Sequence, residues 1–494
     1  MTVPVTKLVS RYTEEGFVQT KNLINGQWID ASQGGTLDVT NPATDELITR
    51  VPSIGTSETR AAIDAAWEAR SAWAAKSASE RGSLIVALAG LMRRDTNRLA
   101  ALMTREQGKP LAESRGEIAY AISFLDWAAE EGKRIYGDII PASVPDKRIL
   151  VLRQPVGVTA IITPWNFPAA MITRKLGPAL AAGCTVVIKP AEATPLSALA
   201  IGELACEAGF PPGVINIITG NPSDIGDVLF DDDRVRKLSF TGSTDVGRLL
   251  MTKASKNLLR LSLELGGHAP FIVFDDADLD HAVSAALACK FRNAGQTCIC
   301  ANRFYIQSGI YEEFNARFAD AIKQLTLGDG SQPGIDVGPL INDAAMVKVE
   351  SQIDNARSLG AKVITGGKRR SINDMADRFF EPTLIEGLTP EMLISHEETF
   401  GPVAPVARFT NEDEVIKLAN ASEFGLAAYF FTRDASRLMR VAEALEYGII
   451  GANDGGPSTA QAPFGGVKHS GFGREGGRYV MDEYTEIKYI SWQL

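Results

Sequence analysis

The sequence has few of the residues that build metal centres and disulfide frameworks. Among its 494 residues there are only five cysteines and four histidines. The histidines do not stand at the spacings typical of zinc ligands, so no metal site is predicted; they are His268, His281, His396 and His469. A sparse and odd set of cysteines does not make a disulfide framework of the secreted type, so we expect reduced thiols.

Long apolar runs and an excess of positive charge are also missing. No uninterrupted apolar run reaches the about 18 residues of a membrane-spanning helix, and the opening "MTVPVTKLVSRYTEEGF" lacks the basic flank and apolar core of a signal peptide. The formal net charge of −10 argues against bulk attraction to nucleic acid or anionic membranes. We therefore expect a cytoplasmic protein that binds neither nucleic acid nor membrane.

The residues that are present are typical of a chain with several α/β domains. At 494 residues the chain exceeds the about 250 to 300 residues that one hydrophobic core supports. From residue 156 to 267, short β-branched runs alternate with amphipathic stretches, with Gly or Pro at the joints. This pattern predicts parallel βαβ units in a doubly wound sheet of about five strands. A second series of the same kind runs from "APFIVF" to "GIIGAND" and predicts another domain of similar size.

Three segments lie outside these two series. The stretch from Thr56 to Lys133 is predicted to be mostly helical. The segments "IIPASVPDKRILVLRQ" and "YTEIKYISWQL" are predicted to be a hairpin and a terminal strand. Because a two-stranded ribbon is marginal alone and an exposed edge usually needs a partner, we expect a small β element that joins the two and pairs with another subunit. The alternative is a terminal strand that packs only on its own chain.

Two motifs of the first series indicate a nucleotide site. The stretch "FTGSTDVG" follows a predicted strand and opens a predicted helix, and its Gly242 and Gly247 are spaced differently from the common dinucleotide fingerprint. Lys189 and Glu192 leave the carboxyl end of another predicted strand, where open α/β sheets bind ligands. A glycine turn without a ligand and a solvated strand end are the alternatives.

Glu192 also predicts which nicotinamide cofactor is used. A carboxylate at this point can accept hydrogen bonds from ribose hydroxyls, and it repels a 2′-phosphate by about 4 kcal/mol for a contact near 4 Å at an effective dielectric near 20. NAD is therefore favoured, and NADP stays open.

Three further motifs carry reactive groups, each ambiguous alone. "PWNFP" presents the uncharged amide of Asn166, and "LELGG" places Glu264 where desolvation can raise the pKa of a carboxyl towards that of a general base. "FRNAGQTCICANRF" carries Cys298 and Cys300 on a glycine-containing turn, a pattern open to a metal clip, a disulfide or a reactive thiol.

Taken together, these motifs resemble the NAD(P)-dependent aldehyde dehydrogenases. The resemblance covers nearly the whole chain, and its motifs include "INGQWIDA", "PWNFP", "KPAEATP", "FTGS", "LELGG", "GQTC", "EETFGPV" and "PFGGVKHSGFGREGG". It implies two doubly wound α/β domains and a small β oligomerisation element. Residues 1–136 and 157–266 would form a Rossmann-like NAD-binding domain, 267–465 the catalytic domain, and 137–156 with 483–494 the oligomerisation element of a dimer or tetramer.

The resemblance implies a role for each reactive group. Cys298 would attack the aldehyde carbon, and the Asn166 amide with a backbone N–H would hold the oxyanion of the thiohemiacetal. After hydride transfer to the nicotinamide, Glu264 would activate the water that hydrolyses the thioester. The positions that line the cofactor in this family correspond to Trp165, Lys189, Glu192, Gly242, Ser243, Leu265, Glu398 and Phe400.

Within the family, "FRNAGQTCICAN" and "WNFPAAMITRK" resemble the succinate-semialdehyde dehydrogenases. The substrate-carboxylate contacts of those enzymes correspond to Arg174, Arg292 and Ser458, and Ser458 stands in a segment that departs from the expected pattern. Two guanidinium groups suit a distal carboxylate, although Arg174 beside Lys175 is also interpretable as a solvated charge. Glutarate semialdehyde is the close competitor, because one methylene changes discrimination by only about 1 to 3 kcal/mol. A non-catalytic protein derived from this fold is the alternative of a different class.

With the resemblance, Cys298 becomes the nucleophile and the metal clip is set aside. Cys300 is either a redox partner that forms a reversible disulfide with Cys298 or a small residue lining the pocket. Cys184, Cys206 and Cys289 are predicted to be small buried residues.

Overall fold

The N-terminal part of the chain consists of short hairpins and a group of helices. The computed structural model describes residues 18–494. In chain order the first elements are β1 (Asn22–Ile24), β2 (Gln27–Ile29), β3 (Thr36–Thr40), β4 (Leu47–Pro52), α1 (Thr56–Ala75), α2 (Ala78–Arg94), α3 (Thr96–Gln107), α4 (Leu111–Glu131), β5 (Asp138–Ile140) and β6 (Lys147–Pro155). The predicted helical segment and the hairpin after it are both present.

The next part is the predicted alternation of strands and helices. Its elements are β7 (Val158–Ile162), α5 (Ala170–Ala182), β8 (Thr185–Lys189), α6 (Leu196–Glu207), β9 (Ile215–Ile217), α7 (Pro222–Asp231), β10 (Val235–Thr241), α8 (Thr244–Ala254) and β11 (Arg260–Glu264). Five strands are parallel, in the order β9-β8-β7-β10-β11, as predicted. The whole sheet has eight strands because antiparallel strands, among them β1 and β2, extend its edges.

A second sheet follows in the same chain direction. Its part of the chain contains β12 (Ala269–Val273), α9 (Leu279–Phe291), β13 (Ala301–Gln307), α10 (Tyr311–Lys323), α11 (Asp343–Ser358), β14 (Lys362–Thr365), β15 (Thr383–Glu386), β16 (Val403–Phe409), α12 (Glu412–Asn420), β17 (Phe424–Gly425), β18 (Ala427–Phe431), α13 (Ala435–Ala444) and β19 (Ile449–Ala452). Seven strands pair in the order β14-β15-β16-β13-β12-β18-β19, and only β14 is antiparallel to its neighbour. The second α/β series is therefore also present.

The last elements return to the earlier parts of the molecule. They are β20 (Val467–Lys468), β21 (Gly471–Phe472), α14 (Val480–Glu483) and β22 (Thr485–Gln493). Strand β21 adds to the first sheet beside β11, and β22 pairs with β6 in a separate three-stranded sheet of order β22-β6-β5. The predicted pairing of the hairpin with the C-terminal strand is confirmed, and pairing with another subunit stays a prediction.

The first sheet is covered so closely that its central elements are buried throughout. Strand β8 is a β-branched run, "TVVIK", that is buried at every residue. Helix α5, "AMITRKLGPALAA", is also buried at every residue, so it carries Arg174 and Lys175 into the interior. Such buried cations require anionic partners. Within residues 18–494 no helix is long and apolar enough to cross a membrane.

Candidate functional site

Polar residues meet at the carboxyl edge of the first sheet. Lys189 at the end of β8 pairs in register with Ile162 at the end of β7, and Thr241 at the end of β10 pairs with Glu264 at the end of β11. Parallel strands that run in register end at one edge, where open α/β sheets bind ligands.

A cavity of about 560 Å³ opens at this edge. All eight residues predicted to bind the cofactor line it: Trp165, Lys189, Glu192, Gly242, Ser243, Leu265, Glu398 and Phe400. Its volume falls within the roughly 300 to 1,000 Å³ typical of ligand sites. The donor set and the space therefore fit an elongated nucleotide.

Helix α8 directs its N-terminus at this cavity. Ser243 caps the helix, its Oγ accepting a hydrogen bond from the Val246 N–H at 3.4 Å. Free amides at a helix N-terminus favour an anion such as a pyrophosphate. Across the cavity the rings of Trp165 and Phe400 stand edge to face, with centroids 5.6 Å apart.

Glu192 does not stand as an isolated charge. Its carboxylate pairs with the Lys189 ammonium, which also donates to the Pro190 carbonyl at 3.1 Å. The Glu192 side chain is 41% exposed, so solvent and the lysine both weaken its repulsion of a 2′-phosphate.

A second cavity, of about 270 Å³, shares Cys298 with the first. The three residues predicted to contact a substrate carboxylate line it together: Arg174, Arg292 and Ser458. The Cys298 thiol therefore lies where the two cavities meet, which is the position that a group bridging cofactor and substrate needs.

The interpretation of Arg174 as a solvated charge was wrong. Its side chain is 1% exposed, because helix α5 is enclosed on all sides. The guanidinium lies 2.6 Å from the Glu475 carboxylate and 3.8 Å from the centre of the Phe464 ring. Glu475 thus supplies the anionic partner that this buried cation requires.

Arg292 differs from Arg174 in having no acidic partner. Its guanidinium lies 5.3 Å from the centre of the Phe167 ring, and no carboxylate between residues 18 and 494 lies within the 4.0 Å of an ion pair. The Ser458 hydroxyl is hydrogen-bonded to the Tyr120 hydroxyl at the same cavity. A free guanidinium and one remaining O–H donor of this hydroxyl pair are therefore available to a carboxylate.

Asn166 is held by the loop that carries the thiol. Its side-chain Nδ2 donates to the backbone carbonyl of Gln296 at 3.0 Å, and the backbone carbonyl of Asn166 accepts from Lys109 Nζ at 2.7 Å. An amide nitrogen has two N–H donors, so one remains for a ligand.

The Cys298 thiol has a raised pKa. Burial raises the pKa of this thiol to about 12, against the opposing influence of the Arg174 charge.

The loop that carries Cys298 packs tightly, since a Cβ at Gly267 would lie only 2.4 Å from the Cys298 carbonyl oxygen. Only glycine fits there.

Glu264 lies behind the cavities instead of lining them. It is 3% exposed, neither carboxyl oxygen has a hydrogen-bond partner among the described residues, and a Cβ at Gly465 would lie 2.9 Å from its Oε1. Burial, followed by the neighbouring Glu475 charge, raises its pKa well above the usual value. The structure thus brings Cys298 and Asn166 to the cavities, whereas Glu264 lines neither of them.

The sequence matches the aldehyde dehydrogenase family over residues 28–490. This chain belongs to the aldehyde dehydrogenase family. It is 55% identical to the succinate-semialdehyde dehydrogenase [NADP(+)] of Escherichia coli, covering 97% of this chain and 99% of that protein. It is 56% identical to a glutarate-semialdehyde dehydrogenase of Pseudomonas putida, covering 94% of this chain and 96% of that protein. Among solved structures, the betaine aldehyde dehydrogenase of Staphylococcus aureus in complex with NAD+ superimposes with a TM-score of 0.96 at 37% identity, covering 99% of this chain and 98% of that one.

The site of this aldehyde dehydrogenase also contains residues that the motifs did not single out. Lys175 donates to Thr241 Oγ1 at 2.5 Å and pairs with Glu475, so one carboxylate joins two adjacent cations of helix α5. Helix α4 presents Glu113 and Tyr120 to the smaller cavity. Their seven-residue spacing is the signal that places two residues on one helix face.

Cys300 in this aldehyde dehydrogenase faces away from both cavities. It is 1% exposed and lines neither of them, so its interpretation as a pocket-lining residue was wrong. Its Sγ lies 3.3 Å from Lys290 Nζ, and it forms no disulfide here. A disulfide with Cys298 stays a prediction.

The remaining cysteines divide by position. Cys184 and Cys289 are buried as predicted, whereas the prediction that Cys206 is buried was wrong: it lies in the last turn of α6 and is exposed. No group of three His, Cys, Asp or Glu side chains in the described part of the chain could hold a metal ion.

Proposed function

We propose that the enzyme oxidises a small aldehyde with a distal carboxylate, with succinate semialdehyde going to succinate. The observation that carries the proposal is the Arg292 guanidinium, which has no ion-pair partner in the described part of the chain and lies in the same small cavity as Cys298. A guanidinium in such a place binds a carboxylate through paired N–H donors. The name of the Escherichia coli relative supports the same substrate.

Glutarate semialdehyde is the second candidate. The Pseudomonas putida relative carries that name, and the substrate is longer by a single methylene. Since a methylene is worth only about 1 to 3 kcal/mol, the ratio of the two kcat/KM values decides between them.

The proposed mechanism assigns one task to each of three side chains. The Cys298 thiol gives its proton to solvent water, the thiolate sulfur bonds to the aldehyde carbon, and the free N–H of Asn166 donates to the developing oxyanion. When bound, the nicotinamide cofactor supplies the hydride acceptor. Glu264, turned towards Cys298 and deprotonated, removes a proton from the water that hydrolyses the thioester and frees the thiol.

For the cofactor we propose NAD in preference to NADP, with NADP still accepted. The Lys189–Glu192 pair at the cofactor cavity supports this dual use, because Glu192 repels a 2′-phosphate and Lys189 weakens that repulsion. The relatives support both cofactors, since one is named for NADP(+) and another was solved with NAD+. Comparing NAD with NADP at one substrate concentration gives the preference directly.

We also propose the domain boundaries predicted from the sequence and a homo-oligomer, either a dimer or a tetramer. Exposed apolar side chains on the separate three-stranded sheet support the oligomer; they are Ile139, Leu152, Ile487, Tyr489 and Trp492. The cytoplasmic location expected from the sequence is part of the same proposal.

The test of function is NADH absorbance on mixing the protein with NAD and succinate semialdehyde. We expect NADH with the unmodified enzyme and none with Cys298→Ala. Absence of NADH with every aldehyde tried, while Cys298 is intact, would reject catalysis and favour a non-catalytic protein with this fold.

A further inference from the structure

Glu113 places an acidic group in the cavity proposed to bind an anion. Helix α4 presents one face to this cavity, with residues spaced three, four and seven apart: Glu113, Gly116, Glu117 and Tyr120. A carboxylate beside a site for a carboxylate opposes binding, so its presence requires an explanation.

Most charges around the cavity are already paired. Glu117 pairs with Lys109, and both side chains are buried to 1% exposure or less. The second carboxyl oxygen of Glu117 accepts from the Ala169 N–H at 2.9 Å. Since Arg174 is paired with Glu475, the charges at the cavity that have no ion-pair partner within residues 18–494 are Arg292 and Glu113.

Glu113 is fixed to the loop that carries Arg292 and Cys298. Its Oε2 accepts a hydrogen bond from the Asn293 N–H at 2.8 Å. Asn293 and the two residues after it all have left-handed backbone, with φ of 50°, 55° and 76°. One oxygen of Glu113 therefore anchors a strained turn beside Arg292, and the other has no hydrogen-bond partner among residues 18–494.

We propose that Glu113 is a specificity-determining residue, whose charge sets how much negative charge a substrate can bring to Arg292. With Glu113 ionised, Glu113 and Arg292 together carry no net charge. The cavity then accepts aldehydes bearing one carboxylate and rejects doubly charged ones such as phosphorylated aldehydes. This inference rests on the proposed function, because it concerns the distal anion of the same substrate.

The substitution that tests the charge is Glu113→Gln. The glutamine oxygen can still accept from the Asn293 N–H, so the turn is kept while the charge is removed. We expect KM for succinate semialdehyde to fall about three- to tenfold, as expected for the loss of a like charge at medium range. We also expect kcat/KM for glyceraldehyde 3-phosphate to rise, and KM for uncharged butanal to stay unchanged.

A matched control is Glu130→Gln, which removes an exposed carboxylate from the same helix far from the cavity. It is expected to leave all three substrates unaffected. If Glu113→Gln changes butanal and the semialdehyde by the same factor, Glu113 only supports the turn and the inference is overturned. Unchanged parameters for all three substrates overturn it as well.

The unmodified enzyme offers a second test that does not require a variant. Burial raises the pKa of Glu113 to about 7, opposed by Lys109 and Arg292 and assisted by Glu117. The other charged group at the cavity, Arg174, stays protonated. Repulsion is therefore absent below this pKa and present above it, so KM for succinate semialdehyde should rise with pH through neutrality while KM for butanal stays flat.

The two proposals fail in different ways. If the unmodified enzyme oxidises butanal but not semialdehydes, the proposed function is wrong. If it oxidises semialdehydes and their KM follows the same pH dependence as that of butanal, the function stands and the role of Glu113 is rejected.

Discussion

At the scale of single residues, burial opposes the charged form of both the proposed nucleophile, Cys298, and the proposed base, Glu264. Burial raises the pKa of Cys298 to about 12 and that of Glu264 well above its usual value. The buried Glu264 carboxyl has no hydrogen-bond partner among the described residues, and such burial is destabilising. This is the position expected of a group that acts only after its side chain has moved. Activity should therefore increase with pH as these groups lose their protons.

Replacing Glu264 with Gln should separate the two halves of the reaction. The amide cannot accept a proton from water, so the thioester should accumulate after one turnover and steady-state kcat should fall about 10²- to 10⁴-fold. Rapid mixing should show one equivalent of NADH formed quickly, and intact mass should show an acyl group on Cys298. If there is no burst and the fall in kcat is as large, Glu264 acts before the thioester forms.

Oxidation provides a prediction for Cys300. Although burial raises the pKa of its thiol overall, Lys290 Nζ at 3.3 Å favours the thiolate. We expect hydrogen peroxide to inactivate the enzyme in a form that dithiothreitol restores, through a disulfide with Cys298. In Cys300→Ala the loss should be irreversible; equal recovery in both proteins would exclude this disulfide.

At the scale of helices and strands, the sequence predicted more of the fold than of the site. Alternating β-branched and amphipathic runs predicted the parallel strands, and strand ends predicted Lys189 and Glu264 at one edge, because these are local patterns. The acidic face of α4 was missed because Glu113 looks like any solvated helix residue until the neighbouring loop is placed against it. The partner of Arg174, Glu475, follows some 300 residues later, at a distance that no local pattern covers.

Gly267 lies between β11 and β12, and its substitution tests how strictly these strands position the Cys298 thiol. A methyl group there would lie 2.4 Å from the Cys298 carbonyl oxygen, so Gly267→Ala must displace the nucleophile. A misplacement of about 1 Å typically costs about 100-fold in rate, and we expect a fall of that order in kcat.

The matched control for this substitution is Gly90→Ala. Gly90 lies in helix α2, where an added methyl meets no atom within 4 Å. Alanine should stabilise the helix by about 0.5 to 1 kcal/mol and leave kcat unchanged. A normal kcat in Gly267→Ala, with thermal unfolding also normal, would show that the loop can relax around the methyl group.

At the scale of the whole molecule, the reactive thiol is shared between structures built by distant parts of the chain. The first sheet and helix α8 form the cavity proposed for the cofactor, helices α4 and α5 form one side of the cavity proposed for the substrate, and the loop before β13 brings Cys298 to both. The family resemblance predicted which residues meet at each cavity, whereas the local sequence patterns alone could not, because the meeting depends on how the two sheets pack together.

The separate sheet of β5, β6 and β22 carries the last prediction, which concerns assembly. Strand β22 is an edge strand of nine residues, and its Ile487 is 67% exposed. A long apolar edge of this kind indicates an interface.

Ile487 stands opposite Arg153, so Ile487→Glu adds a favourable cross-strand charge pair within the chain while placing a carboxylate in the interface. Sedimentation velocity should show a smaller species than the unmodified protein forms, whereas Val347→Glu, on the exposed face of α11, should keep the original mass. An unchanged mass for Ile487→Glu would place the subunit contacts elsewhere.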